Sequence, residues 1–182
     1  MASNGAHVFI LTGAPGSGKT TVAGLLAART DRAVHMESDC FFHFIKAGYV
    51  EPWKPESHEQ NQAVMRVVAE AAAGYAEAGY FTIIDGIISP RWFLPPPAAS
   101  LDAAGFRIAY AVLRPSLLVA RTRAEQRSAS RLSDAAVIEQ LWESFAELGP
   151  LEKHVIDNSS QSAEQTAEQL ADLLRLGELT LA

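Results

Sequence analysis

Short apolar runs alternate along the chain with longer segments in which apolar side chains recur every three or four residues. The apolar runs predict five β-strands, at residues 8–11, 33–36, 80–84, 106–113 and 153–156. The periodic segments predict five helices, at residues 19–29, 58–78, 116–127, 133–148 and 163–176. Strands that alternate with helices pair in parallel through right-handed crossovers. The pattern therefore predicts a three-layer α/β/α fold around a five-stranded parallel sheet.

One proline run stands inside this pattern, at residues 95–97. Proline has no backbone N–H and clashes with a preceding helical turn, so the run is expected to forbid regular structure locally. A short helix is expected to begin at its end, before Gly105.

The composition is that of a single globular domain over residues 1–182, with 48% apolar and 20% charged residues. The net charge of −6 argues against a nucleic-acid partner, because phosphate contacts need clustered basic residues. The single cysteine excludes an internal disulfide and fits a reducing compartment. No apolar run approaches the length of a membrane span, and no signal-peptide pattern precedes the first strand. We expect a cytoplasmic protein, a monomer or homodimer, with no membrane partner.

Residues 13–20 read G-A-P-G-S-G-K-T, directly after the first predicted strand and before the first predicted helix. Glycines let such a loop turn tightly and aim its N–H groups inward, and the helix N-terminus adds positive charge. Lys19 supplies a charge for the β and γ phosphates, and the Thr20 hydroxyl is placed to coordinate Mg²⁺. The motif predicts a site for ATP and Mg²⁺. The predicted nucleotide contacts are Gly13, Ala14, Pro15, Gly16, Ser17, Gly18, Lys19, Thr20 and Thr21.

Acidic and basic residues follow other predicted strands, at the edge where open parallel sheets collect ligands. Asp85 ends the third strand and is predicted to hold Mg²⁺ directly or through water, with a turn or capping role as the alternative. Asp39 follows the second strand and is predicted to orient and deprotonate an acceptor hydroxyl. Its alternative role is a helix N-cap, and Glu37 ranks below it as the base. Arg114 follows the fourth strand.

Aromatic side chains are concentrated directly after Asp39, in residues 41–53. The prolines at 52 and 55 make this a poor strand, and it is expected to form a helix and loop that cover the acceptor. Phe42 and Trp53 are the predicted substrate contacts, and burial in the core is the alternative.

Arginines are concentrated on and after the predicted helix 116–127. A planar, permanently charged guanidinium suits a lid that clamps the transferring phosphoryl group. Spacings of four place Arg123, Arg127 and Arg131 along one face, and this group, not one individual arginine, is predicted to serve a lid at about residues 122–134. A solvated helix face is the alternative.

Taken together, these motifs resemble those of the P-loop small-molecule kinases, the group that includes gluconate and shikimate kinases, chloramphenicol phosphotransferase, zeta-toxin kinases and nucleoside monophosphate kinases. The resemblance implies a P-loop kinase fold with strand order 2-3-1-4-5 and a helical lid. It also implies a catalytic lid role for Arg127 or Arg131. Asp39 matches the family's acidic residue after the second strand, which implies an acceptor role for it. On the acceptor side, the chain lacks both the aspartate and histidine cluster of gluconate kinases and the arginine set of shikimate kinases.

Three further residues take roles by this resemblance alone. Asp85-Gly86 followed by Pro90-Arg91 is similar to the D-G-x-P-R segment of adenylate kinases with an insertion, which implies a substrate phosphate contact for Arg91. Residues 117–121 resemble the helix before the lid, which implies that Arg121 packs on adenine. Residues 154–159 are similar to the segment beside that base, which implies a nucleotide contact for Asn158.

The leading functional hypothesis is an ATP-dependent kinase that phosphorylates a hydroxyl of a small molecule, such as an antibiotic, a sugar acid or another metabolite. A nucleoside or nucleotide kinase is the closest alternative, although the region between Asp39 and Asp85 offers only Arg66 to grip an acceptor phosphate. The second alternative is a P-loop ATPase or switch that acts on a protein partner. The chain has no N-K-x-D motif, and Gly86 rather than glutamate follows Asp85, which favours the kinase.

Overall fold

The computed structural model of the protein describes residues 7–91, 93–126 and 135–181. Its sheet consists of β1 (Val8–Thr12), β2 (Ala33–Glu37), β3 (Phe81–Gly86), β4 (Ile108–Leu113) and β5 (Val155–Ile156). The strands are parallel and lie in the order β2-β3-β1-β4-β5. This order confirms the predicted topology.

Seven α-helices occupy the described ranges: α1 (Lys19–Ala28), α2 (Ser38–His43), α3 (His58–Glu77), α4 (Pro95–Ala103), α5 (Leu117–Glu125), α6 (Ala135–Glu143) and α7 (Ala163–Leu176). Short 3₁₀ turns lie at Pro55–Ser57 and Gly149–His154. The second of these turns occupies the start of the predicted fifth strand, which is therefore only two residues long.

Side chains of the central strands alternate between two separate apolar cores, as the period of two in a strand requires. Phe9 and Leu11 of β1 pack with α1 and α7 in one core. Ile10 of β1 and Tyr110 of β4 pack with α3 and α4 in the other. Helices therefore cover both faces of the sheet, and the predicted three-layer α/β/α architecture is confirmed.

The proline run begins a helix instead of interrupting regular structure. Helix α4 starts at Pro95, and the N–H of Ala98 donates to the carbonyl of Leu94 at 3.0 Å. The first N–H groups of a helix have no partner within it, so prolines at these positions lose no hydrogen bond, and their fixed φ suits the helix. The expectation that residues 95–97 forbid regular structure is therefore wrong.

The chain segment after β3 lies beside the end of β1, and two hydrogen bonds hold it there. The N–H of Ile88 donates to the Thr12 hydroxyl at 2.7 Å. The buried Tyr110 hydroxyl donates to the Ile88 carbonyl at 3.1 Å. Burial raises the pKa of Tyr110 far above its ordinary value, so this hydroxyl stays protonated and keeps donating. The carboxyl edge of the sheet is thereby held in one arrangement.

Candidate functional site

The loop between β1 and α1 lies tightly against the ends of two other elements. Gly16 has a φ of +83°, and a Cβ placed on it would lie 1.9 Å from the carbonyl oxygen of Ala120 in α5. A Cβ on Gly13 would lie 2.3 Å from the carbonyl oxygen of Leu113 in β4. No side chain fits at either position. The glycines therefore allow the loop to pack closely, in the strand-loop-helix context that the sequence predicts.

Asn158 holds this loop from the end of the sheet. Its side-chain amide is buried and donates to the carbonyl of Ser17 at 2.9 Å. Arg123 of α5 in turn donates to the carbonyls of Asn158, at 3.2 Å, and Gln161, at 3.4 Å. The Asn158 side chain thus binds the phosphate-binding loop. A direct contact between Asn158 and a nucleotide stays a prediction.

A cavity of about 640 Å³ opens beside the loop at the carboxyl edge of the sheet. Lys19 and Thr20 of the loop reach it, and so do Glu37 at the end of β2 and Asp39 and Phe42 of α2. The remaining lining residues are Pro15, Ser38, Cys40, His43, Tyr49, Pro52, Trp53, Met65, Ile87, Ser89, Phe93, Gln140, Leu141 and Ser144. The structure thus brings the phosphate-binding loop and the predicted acceptor segment to one space.

Asp85 lies in β3 at the same edge, paired in register with Leu11 of β1 and Glu37 of β2, but outside the cavity lining. It is 2% exposed. Its Oδ2 lies 3.2 Å from Nε2 of His35, whereas its Oδ1 is buried and has no hydrogen-bond partner among the described residues. A buried carboxylate oxygen without a hydrogen bond lowers the stability of the fold unless a ligand binds to it.

The aromatic segment is fastened to the first turn of α3 by side-chain amides. Gln60 accepts from the N–H of Val50 at 2.9 Å and donates to its carbonyl at 2.7 Å. Asn61 donates to the carbonyl of Pro52 at 2.8 Å. These three bonds fix the backbone directly before Trp53, one of the aromatic side chains that line the cavity.

Arg114 is bound within the protein, although it follows β4 at the edge where ligands collect. Its guanidinium donates to the carbonyls of Phe145, at 2.9 Å, and Ala146, at 3.1 Å, and pairs with Glu152. The hydrogen bond from Arg114 lowers the pKa of that glutamate below its ordinary value. Arg114 therefore ties the chain after α6 to β4.

Other predicted site residues lie outside the cavity lining. Arg91 and Thr21 are exposed, and Arg121 is half-buried on α5. Arg127 and Arg131 fall in residues 127–134, outside the described ranges, as does most of the predicted lid. The roles of these residues remain predictions.

Sequence reasoning missed two features of the site. The cavity wall formed by Gln140 and Leu141 of α6, with Ser144 directly after that helix, has no local sequence signal, because this stretch has the pattern of an ordinary amphipathic helix. His35 did have a signal, since it is a titratable residue inside an otherwise apolar strand beside the strand that ends in Asp85.

The chain matches one family model, described as an AAA domain, over residues 8–151. No protein with a curated function matches it by sequence. Within the described ranges, the longest and most apolar helices still fall short of what a membrane crossing needs.

Solved structures share the fold at low sequence identity. The tunicamycin resistance protein of Deinococcus radiodurans has a TM-score of 0.67 at 16% identity, over 96% of this chain and 98% of that chain. A sugar kinase from Janibacter has a TM-score of 0.70 at 22% identity, over 94% and 95% of the two chains. The APS kinase of Mycobacterium tuberculosis, in complex with AMPPNP and APS, has a TM-score of 0.72 at 16% identity, over 93% and 98%. The predicted P-loop kinase fold is confirmed.

Proposed function

The chain belongs to the AAA domain family, and from that premise we propose that it is an ATP-dependent phosphotransferase whose acceptor is a hydroxyl of a small molecule. One observation carries the proposal: Lys19 and Thr20 of the phosphate-binding loop share a single cavity with Asp39. Phosphoryl transfer requires donor and acceptor groups to meet in line, and this cavity offers groups suited to each.

On the donor side, the loop amides and Lys19 bind the phosphates of ATP. The amides around the three glycines and the N-terminus of α1 provide positive partial charge without any cost of rearrangement. Lys19 is buried, so its ammonium acts in a setting where water screens it little. These groups offset the negative charge that spreads over the γ-phosphoryl oxygens during transfer.

Thr20 and Asp85 are the residues that would hold Mg²⁺, which supplies charge neutralisation and alignment at the phosphates. The observation that supports these two residues as Mg²⁺ ligands is the buried Oδ1 of Asp85, which has no hydrogen-bond partner among the described residues. Mg²⁺ is usually held by one or two protein oxygens together with waters and phosphates, so a hydroxyl and a single carboxylate are a sufficient set.

On the acceptor side, Asp39 orients the hydroxyl and takes its proton. Its exposed carboxylate, in the first turn of α2, is free to reach a ligand in the cavity. Glu37 also lines the cavity and is the second candidate for this role. Neighbours whose names describe a sugar kinase and an APS kinase with AMPPNP bound support a small-molecule acceptor and an ATP-type donor.

The proposed function is tested by following the γ-phosphate of labelled ATP. With Mg²⁺ and a panel of sugars, nucleosides, antibiotics and hydroxy acids, we expect an accepted compound to raise ADP release about tenfold or more above hydrolysis by water. The label should then appear in a phosphate ester of that compound. Proteins and nucleic acids serve as the control additions. Stimulation by these alone, with all the label in inorganic phosphate, would establish an ATPase instead.

A further inference from the structure

The acceptor side of the cavity is walled mainly by aromatic and aliphatic side chains. Phe42 from α2, Trp53 from the aromatic segment and Phe93 after β3 face it, with Leu141 of α6 contributing a further apolar wall. Aromatic rings bind apolar bodies through their large surface and bind cations through their negative faces. These walls suit an acceptor with an apolar body. Uncharged polar contacts are added by Ser89, Gln140 and Ser144.

The charges on this side are negative. Glu37 and Asp39 line the cavity, and among its described lining residues the single lysine or arginine is Lys19, which belongs to the phosphate-binding loop. Burial, followed by the carboxylates of Glu51 and Asp39, raises the pKa of the Tyr49 hydroxyl above its ordinary value. Of these two carboxylates Asp39 lines the cavity, so its negative potential reaches the aromatic segment.

We propose that the acceptor carries its hydroxyl on an apolar body that bears no anionic group, and is uncharged or cationic; this rests on the proposed function. A carboxylate or phosphate on the acceptor would meet Glu37 and Asp39, while Lys19 engages the phosphates of ATP. Like charges at contact distance repel, and water screens the half-buried Glu37 less than the exposed Asp39. An anion-binding site presents positive charges to its ligand, whereas the acceptor side of this cavity presents the carboxylates of Glu37 and Asp39.

Two matched pairs of compounds test this charge selectivity by binding alone. Each pair keeps the apolar body and a hydroxyl: 4-nitrophenyl glucoside against 4-nitrophenyl glucuronide, and 2-amino-1-phenylethanol against mandelate. Dissociation constants are measured by calorimetry with the protein saturated with Mg²⁺ and a non-hydrolysable ATP analogue. We expect the uncharged or cationic member to bind about tenfold more tightly or better. Equal or tighter binding of the anionic members, or no binding of the others, would overturn the proposal.

Charge-neutralising variants locate the origin of the selectivity. Asp39→Asn and Glu37→Gln should each shrink the difference within a pair, whereas Glu70→Gln, an exposed carboxylate of α3 outside the cavity, should leave it unchanged. If the difference in dissociation constant within a pair is undiminished in both Asp39→Asn and Glu37→Gln, the selectivity does not come from these two carboxylates. Selective binding within the pairs, together with no ADP release across the whole acceptor panel, would reject the kinase and leave the charge selectivity standing, so the two failures are distinguishable.

A second, independent observation concerns His35, which contacts the carboxylate of Asp85 from the neighbouring strand. A carboxylate accepts hydrogen bonds, so the Nε2 that lies 3.2 Å from Oδ2 carries the proton and donates. Both residues are held in strands β2 and β3, which pair in parallel. The bond restricts rotation of the carboxylate and leaves Oδ1 without a described protein partner.

We infer that His35 is a positioning residue for the proposed metal ligand Asp85; this too rests on the proposed function. By occupying Oδ2, the imidazole presents Oδ1 for Mg²⁺ or for water bound to it. Groups that orient a ligating carboxylate in this way set metal affinity without touching the metal. His35 therefore has a role that the apolar residues around it in β2 cannot fill.

Mn²⁺ binding to the complex with a non-hydrolysable ATP analogue, followed by electron paramagnetic resonance, tests this role without turnover. We expect His35→Leu to weaken Mn²⁺ binding roughly 10-fold to 100-fold, and His35→Gln, which keeps an N–H donor, to restore most of it. Analogue binding without metal should be unchanged in both. If His35→Leu does not fold, His35→Val takes its place.

Wild-type Mn²⁺ affinity in the apolar variant, or an equal loss in His35→Gln, would overturn the inference. If the wild-type complex itself binds no Mn²⁺, the proposed metal site fails along with it.

Discussion

Replacing Lys19 with alanine is expected to lower kcat by about 10³-fold or more, because its charge acts mainly on the transition state. The side chain is buried and lines the cavity, and a buried charge interacts more strongly than a charge in water. The measurement is ADP release with an accepted compound, or the slow hydrolysis of ATP by water where no acceptor is present.

Two companion variants complete this experiment: one separates charge from shape at position 19, and the other is a control at a distant lysine. Lys19→Met keeps an unbranched side chain but removes the charge, so an equal loss in that variant assigns the effect to the ammonium. Lys153→Ala removes a lysine from the exposed 3₁₀ turn before β5 and should retain wild-type turnover. Wild-type turnover in Lys19→Ala would reject residues 13–20 as the donor site.

The parts of this fold that follow from the sequence are those fixed by local patterns. Val8 to Leu11 form an apolar run because β1 is buried on both faces, and residues 13–20 need their glycines because Gly13 and Gly16 touch backbone carbonyls. Each pattern can be recognised within a few consecutive residues, although the carbonyls that the two glycines approach belong to the distant Leu113 and Ala120. Strand order additionally required the resemblance to a known family, since periodicity alone does not rank strands in a sheet.

The parts that did not follow depend on partners far away in the sequence. His35 and Asp85 are 50 residues apart, and Arg114 donates to carbonyls 31 and 32 residues further along the chain. No short stretch of sequence shows that the hydrogen bonds of Arg114 go to groups within the protein. Nor does one show that Oδ1 of Asp85 has no hydrogen-bond partner among the described residues. The proline run at the start of α4 departs from its expected irregular structure for another reason: the penalty for proline in helices applies after the first turn.

Replacing Asp39 with asparagine is expected to lower kcat by roughly 10²-fold to 10⁴-fold, with ATP binding little changed, because the amide cannot accept the proton of the hydroxyl. Asparagine nearly preserves the size of the side chain, and Asp39 is exposed to the cavity and not packed in the core, so stability should change little. Steady-state kinetics with an accepted compound, together with the dissociation constant for a non-hydrolysable ATP analogue, checks both halves of this expectation.

Glu37→Gln is the matched control, because it neutralises the other carboxylate that lines the same cavity. Glu37 ends β2 and is half-buried beside Asp85, whereas Asp39 lies in α2, one helical position beyond Ser38. If Asp39 is the base, Glu37→Gln should lose much less of kcat than Asp39→Asn does. The reverse ranking, with kcat retained in Asp39→Asn, would transfer the base to Glu37 and place proton removal at the end of the strand instead of in the helix. Comparable losses in both variants would mean that the two carboxylates act on the hydroxyl as a pair, and the double variant would then be no slower than either single one.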